Sequence, residues 1–288
     1  MRWRDGRRSD NVEDRRGGGG GMGGGGFKLG IGGLVVVAAA YFLGVDPQLV
    51  MGIMQATQGD GTTLESGQGV TSRPTDEAGD FMSVVLADTE DTWIELFRAA
   101  GTQYTPPRLI LYPGGTRSGC GSASAEAGPF YCPADRSVYI DPAFFGELER
   151  RFGAPGDFAQ AYVLAHEVGH HVQTLTGISE RIHATQQRVA EEEGNALQVR
   201  MELQADCYAG IWAHYAQRSR NLLESGDLEE ALGAAAAVGD DMIQKRSRGY
   251  VVPESFTHGS AAQRQRWFTR GLSSGQVSDC DTFGTRAL

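Results

Sequence analysis

Apolar positions recur along this chain at two different spacings, and the spacing changes from one predicted element to the next. Phe81, Val84, Val85, Trp93, Leu96 and Phe97 keep to one face at helical spacing, which predicts a helix ending near Ala100. Arg108–Tyr112 is a short β-type run stopped by Pro113-Gly114-Gly115. Phe130–Cys132 and Ser137–Ile140 flank the turn residues Pro133-Ala134-Asp135-Arg136, which predicts a hairpin. The second of these strands is a candidate edge for an extended peptide. Asp141-Pro142 has the chemistry of an N-cap followed by a first helical residue, opening a helix through Phe144, Phe145 and Leu148.

The breaker cluster Gly153-Ala154-Pro155-Gly156 separates that helix from a mostly apolar one over residues 157–176, with Gly177 as its stop. Further helical stretches run from Ser179 to about Ser219 with a break near Gly194-Asn195, from Asp227 to about Arg246, and near Ser260–Gly271. The predicted fold class is α+β, mostly helical with a small β-sheet, and there is no internal repeat.

The N-terminal part reads differently. Met1–Arg16 is polar and charged and leads into a Gly run, so residues 1–26 are expected to form a flexible tail. Residues 27–45 contain Leu29–Val45, 17 uncharged apolar residues, at the short end of what a spanning helix needs. Arg2, Arg4, Arg7, Arg8, Arg15, Arg16 and Lys28 precede or border it and Asp46 follows. The positive-inside rule then keeps the N-terminus in the cytoplasm and places the rest outside the cytoplasmic membrane, in the periplasm or beyond. A cleaved signal peptide lacks a clean small-residue cleavage site here, and a core helix would have to be reached across a Gly tract, so the reading is an uncleaved transmembrane anchor. Residues 55–80 have almost no large apolar side chains, and 46–80 read as a flexible linker to a folded domain over residues 81–288.

Composition narrows the partners. Net charge is −10, which argues against nucleic acid. The four cysteines, Cys120, Cys132, Cys207 and Cys280, include no C-x-x-C pair. In an exported domain they favour disulfides, and of the three possible pairings Cys120–Cys132 with Cys207–Cys280 is preferred: the first ties off a Gly-rich loop, the second pins the tail to a core helix.

The chemistry concentrates in the helix of residues 157–176. His166 and His170 are four residues apart, so their imidazoles rise from one face about one turn apart and can grip one cation. Glu167, about 100° round the helix, suits proton abstraction from a water on the open side of such a metal rather than ligation. His171 lies off that face and reads as a supporting or surface residue. A catalytic zinc needs a further protein ligand. Glu202 and Asp206 are four apart on an otherwise apolar stretch, where unpartnered charges would be costly. We assign Glu202 as third ligand and Asp206 as acceptor for the free ring N–H of a ligating His. Glu191–Glu193 are rival donors, although a run of three Glu is more commonly a solvated face. His258, in a Gly-containing turn before the last helix, is the candidate oxyanion donor. Arg264 and Arg266 either bind substrate or balance acidic surface.

Together, the SDNVEDRRG segment, Cys120-Gly121, GPFYCPAD with VYID, HEVGHHVQ, ELQADCYAG and FTHGSAAQRQRWF resemble the neutral zinc metallopeptidase family of bacteria over nearly the whole chain. More distantly, H-E-x-x-H followed by E-x-x-A-D is similar to gluzincin-type peptidases. The resemblance implies a zincin-like metallopeptidase domain, with one Zn²⁺ per chain on His166, His170 and Glu202. It also implies Glu167 as general base, Asp206 in support and His258 at the oxyanion. In such enzymes that His is commonly followed by Pro; Gly259 stands here. The leading expectation is a membrane-anchored peptidase acting on peptides or proteins. The alternative is a non-catalytic, zinc-stabilised interaction or chaperone-like module of the cell envelope, and zinc hydrolysis of a non-peptide amide or ester is a third reading.

Overall fold

Two long helices crossing at a close contact organise the molecule, and the remaining elements hold them in register. The computed structural model describes residues 1–16, 73–124 and 128–288. Its strands are β1 (Val12–Asp14), β2 (Arg108–Leu111), β3 (Gly115–Ser118), β4 (Gly121–Ser124), β5 (Phe130–Cys132) and β6 (Ser137–Ile140). The helices are α1 (Glu77–Ala99), α2 (Ala143–Phe152), α3 (Asp157–Leu175), α4 (Ile178–Gln186), α5 (Glu191–Arg220), α6 (Asp227–Ala237), α7 (Asp240–Arg248) and α8 (Ala261–Ser274). The described residues form a mostly helical α+β fold with small sheets.

Local chemistry explains most of the boundaries. Asp76 accepts from the Gly79 amide, so α1 starts before Phe81. Asp141 accepts from the Ala143 amide at the start of α2. Ser260 and Gln263 close a reciprocal capping box on α8. The expected break at Gly194-Asn195 is not where the chain breaks. It falls at residues 187–190, and Gly194 lies inside α5 because Glu191, Glu192 and Glu193 occupy the first turn, where the helix dipole favours acidic groups. The stretch from Asp227 to Arg246 likewise divides at Val238-Gly239 into α6 and α7.

The main sheet has the order β1-β2-β6-β5. The pairs β1–β2 and β2–β6 are parallel and β5–β6 is antiparallel, with Phe130 opposite Tyr139 and Cys132 opposite Ser137. The predicted hairpin is therefore present. Its strand Ser137–Ile140 is not an edge: β6 pairs on both sides, and β5 and β1 are the outer strands. β3 and β4 form a separate antiparallel pair that the hydrophobic pattern did not announce, being built from Gly, Ser, Thr, Ala and Arg. Disulfides join Cys120 to Cys132 and Cys207 to Cys280, as preferred from the sequence.

Glycines set the closest approaches. A Cβ on Gly169 of α3 would lie 2.9 Å from the Ala205 carbonyl of α5, and one on Gly271 of α8 would lie 1.9 Å from the Cys207 carbonyl. Small residues thus let α3 and α8 press against α5 at backbone contact distance, aided by burial of Leu164, Val168, Leu203, Trp212, Trp267 and Phe268.

The tail was expected to be flexible over residues 1–26. Residues 1–16 instead pack on the domain: Met1 and Trp3 lie in the main core and β1 joins the sheet. Polar composition concealed this, because the arm docks through arginine, serine and asparagine side chains onto acidic partners as well as through apolar ones. The expected anchor at 27–45, and most of the linker 46–80, fall outside the described residues. Among the described residues, no helix is long and apolar enough to cross a membrane.

Candidate metal centre

His166 and His170 project from α3 toward Glu202 of α5. His166 Nε2 is 3.2 Å from Glu202 Oε2, and His170 Nε2 is 3.5 Å from Glu202 Oε1. One donor atom from each of the three residues lies within 4.8 Å of the other two. The 36-residue separation of His166 and Glu202 is closed by the Gly169–Ala205 approach one helical turn along. Two imidazole nitrogens and a carboxylate oxygen, with no fourth protein donor among the described residues, match the donor set of a catalytic zinc that keeps one position open.

The outward nitrogens are held too. His166 Nδ1 lies 2.8 Å from Asp206 Oδ1, and His170 Nδ1 lies 2.9 Å from Gln173 Oε1, so each ring presents Nε2 to the centre. Gln173 in turn donates to the Met201 carbonyl and to Gln204, which locks its amide. Asp206 is fully buried, and besides His166 two residues converge on it: Tyr162 through Oη at 2.5 Å, and Arg264 through Nε at 2.8 Å and Nη2 at 2.9 Å. Arg264 is 3% exposed, so it is not a surface charge; it neutralises Asp206.

The electrostatics follow from this wiring. Burial opposes ionisation of Asp206, but Arg264 and His166 outweigh it and hold the carboxyl at about 2. Burial alone would depress His166, yet Asp206 and Glu202 raise it to about 9. Glu202 is held well below the usual carboxylate range, against its burial, by His170 and His166. The carboxylates therefore favour positive charge at the point between the two imidazoles, which is what a cation site requires.

Glu167 follows His166 on α3 and is 8% exposed. Among the described residues, no protein group donates a hydrogen bond to its carboxylate, so both oxygens are available to water. His258 precedes α8 in a loop pinned by Asp240, whose Oδ2 accepts from the amides of Thr257, His258 and Gly259 and whose Oδ1 is 3.3 Å from His258 Nδ1. Burial works to lower the His258 pKa, and Asp240 and Glu202 together raise it above its ordinary value. Gly259 has φ 86°, which Pro cannot adopt, and a Cβ there would lie 3.2 Å from Leu203, the neighbour of Glu202. The chain after His258 therefore turns in a way that a His-Pro pair could not.

His171 is not a surface residue. It is fully buried, with Nε2 2.7 Å from the Thr105 carbonyl and Nδ1 3.0 Å from Tyr131 Oη on β5, and burial lowers it to about 4. It ties α3 to the outer strand β5. Glu191–Glu193 are exposed in the first turn of α5, and Arg266 bonds the Leu288 carbonyl at the exposed tail. Tyr162, Gln173 and Arg264 are the members of the site whose roles the sequence reading missed. The signal available for Gln173 was its spacing, three residues after His170 and hence on the same face; nothing local marks Arg264 as the partner of Asp206.

The family model described as "Putative neutral zinc metallopeptidase" matches residues 1–283, and the chain belongs to that family. It is 52% identical over 291 residues to the uncharacterized protein YpfJ of Escherichia coli K12, covering 99% of both chains. It is 50% identical over 195 residues to the uncharacterized protein Rv2575 of Mycobacterium tuberculosis H37Rv, covering 64% of this chain and 65% of the other. No solved structure matches.

Proposed function

We propose that this chain is a zinc-dependent peptidase, with one Zn²⁺ per chain on His166, His170 and Glu202 and with Glu167 as general base. The observation that carries the reading is the convergence of two Nε2 atoms and one carboxylate, each braced from behind, beside a carboxylate with no protein partner among the described residues. Zn²⁺ held there supplies Lewis acidity toward a scissile carbonyl and toward the attacking water. Glu167 takes the proton of that water and delivers it to the leaving amine. His258, its ring steadied by Asp240 and its pKa raised by Asp240 and Glu202 against its burial, can donate from Nε2–H to the developing oxyanion when it carries that proton.

The domain is read as zincin-like, with a metal-bearing helix backed by a small sheet. The free side of β5 offers an extended peptide a hydrogen-bonding edge next to α3, to which Tyr131 and His171 tie it. Two disulfides support a location outside the cytoplasm. The membrane is a partner in this reading through the apolar run 29–45.

Zinc analysis of the purified protein, followed by digestion of a peptide library with and without chelator, tests the proposal. Glu167→Gln is expected to keep zinc and fold and to lose cleavage. A zinc-loaded wild type that cuts no peptide, with a cellular phenotype unchanged in Glu167→Gln, would instead favour the interaction module.

A further inference from the structure

The N-terminal arm is built into the domain. β1 adds a parallel strand to β2, with the Leu109 amide donating to the Asn11 carbonyl and the Arg15 amide to the Leu111 carbonyl, both at 2.8 Å. Trp3 packs edge-to-face on Phe81 at 5.2 Å within the main core. A Cβ on Gly6 would lie 2.5 Å from Val84, so the arm runs directly along α1. Ser9 donates its amide to the Ser83 carbonyl at 3.0 Å.

The second observation is chemical. Glu90 of α1 is 3% exposed, and the hydrogen bonds its carboxylate accepts come from the arm: Ser9 Oγ at 2.5 Å, Asn11 Nδ2 at 2.8 Å and Arg7 Nη2 at 2.9 Å. Without the arm, a buried carboxylate would lose those three donors and the outer side of β2 would lie open. The domain is therefore built to contain this segment.

The third observation is where the arm ends. Arg16 bonds Asp76 through both Nη1 and Nη2, at 2.9 and 2.8 Å, and Arg73 pairs with Asp10. The residues on either side of segment 17–72 are thus pinned to one region of the domain surface.

We propose that residues 1–16 and residues 73–288 lie on the same side of any membrane the protein meets, because the arm is a structural part of the domain. A single one-way crossing between these two parts is then incompatible with a docked arm. This replaces the arrangement that charge asymmetry alone suggests, with the N-terminus and the domain on opposite sides. A one-way span would have to pull β1 from the sheet and strand Glu90.

The experiment uses the full chain in cell membranes. All four native cysteines are in disulfides, so a single introduced cysteine is the reactive thiol. Asp5→Cys reports the arm and Glu95→Cys reports α1, both exposed positions outside the metal centre. A membrane-impermeant maleimide is applied to intact spheroplasts and to permeabilised ones. The two variants are expected to label under the same conditions. Labelling of one in intact spheroplasts and of the other only after permeabilisation overturns the proposal. Hydrogen exchange on the full-length protein gives a second readout. Peptides covering residues 9–15 should exchange at least about 100-fold more slowly than an unstructured chain, and exchange at the free rate would also overturn it.

Discussion

His166 and Asp206 face each other across 2.8 Å, and that contact links the imidazole on α3 to a buried arginine on α8. His166 Nδ1, Asp206 and Arg264 form a line running from the centre into the core, with Tyr162 Oη bound to the same Asp206 oxygen as His166. The ring orientation of His166 is therefore set in part by α8, which contributes none of the three converging donors.

Replacing Asp206 by Ala should release the His166 ring. Zinc affinity, measured by competition with a chromogenic chelator, is expected to fall by about 10- to 100-fold. An unchanged affinity would show that Asp206 does not orient the ligand.

Arg264→Met leaves Asp206 ionised and buried without its cationic partner. Stability toward urea should drop by about 3–5 kcal/mol, since breaking one side of a buried pair costs more than the pair contributes. Arg264→Lys restores the charge but not the two-nitrogen grip, and should recover part of the loss.

His258→Ala is expected to lower kcat on a cleaved peptide by about 100-fold with zinc content unchanged. A change in KM alone would assign His258 to substrate binding instead.

Stability should fall as pH drops from about 6.5 to about 4. His171 is held at about 4 by burial, so across that window the unfolded chain binds a proton that the folded chain refuses. The full effect is on the order of 3 kcal/mol. It should be absent from the stability–pH curve of His171→Gln, whose other titrations are retained.

Reduction of Cys207–Cys280 should destabilise the domain more than reduction of Cys120–Cys132. The sequence separations are 73 and 12, for which loop-closure entropy gives about 4 and about 3 kcal/mol. The longer link also holds the tail whose Cys280 carbonyl accepts from Gln204, next to the Gln173 amide that steadies His170. Paired Cys→Ser variants compared by thermal melting check the order.

Gly271→Ala places a methyl group against the Cys207 carbonyl, where backbone cannot yield as a side chain can. A loss of about 1–3 kcal/mol is expected from forcing α8 off α5, together with weaker zinc binding, because Arg264 moves with α8.

Sequence alone determined what rests on short-range geometry. Four-residue spacing on a helix brings His166 and His170 to one face, Ser260 and Gln263 close a cap three residues apart, and Phe130–Cys132 turns back on Ser137–Ile140, whatever the rest of the chain does. The pairing of the cysteines was legible for a similar reason, since few combinations exist. Tertiary structure decided which faces meet. That Glu202 rather than Glu191–Glu193 stands opposite the imidazoles depends on α3 and α5 touching at Gly169 and Ala205. The pairing of Asp206 with Arg264 depends on α8 pressing on α5 at Gly271. The docking of residues 1–16 was hidden for the same reason: a polar segment reads as solvated until the buried Glu90 that needs its donors is brought beside it by the fold. Periodicity reports the side of an element that is apolar, whereas partners 36 to 98 residues apart are chosen by packing, which no local window contains.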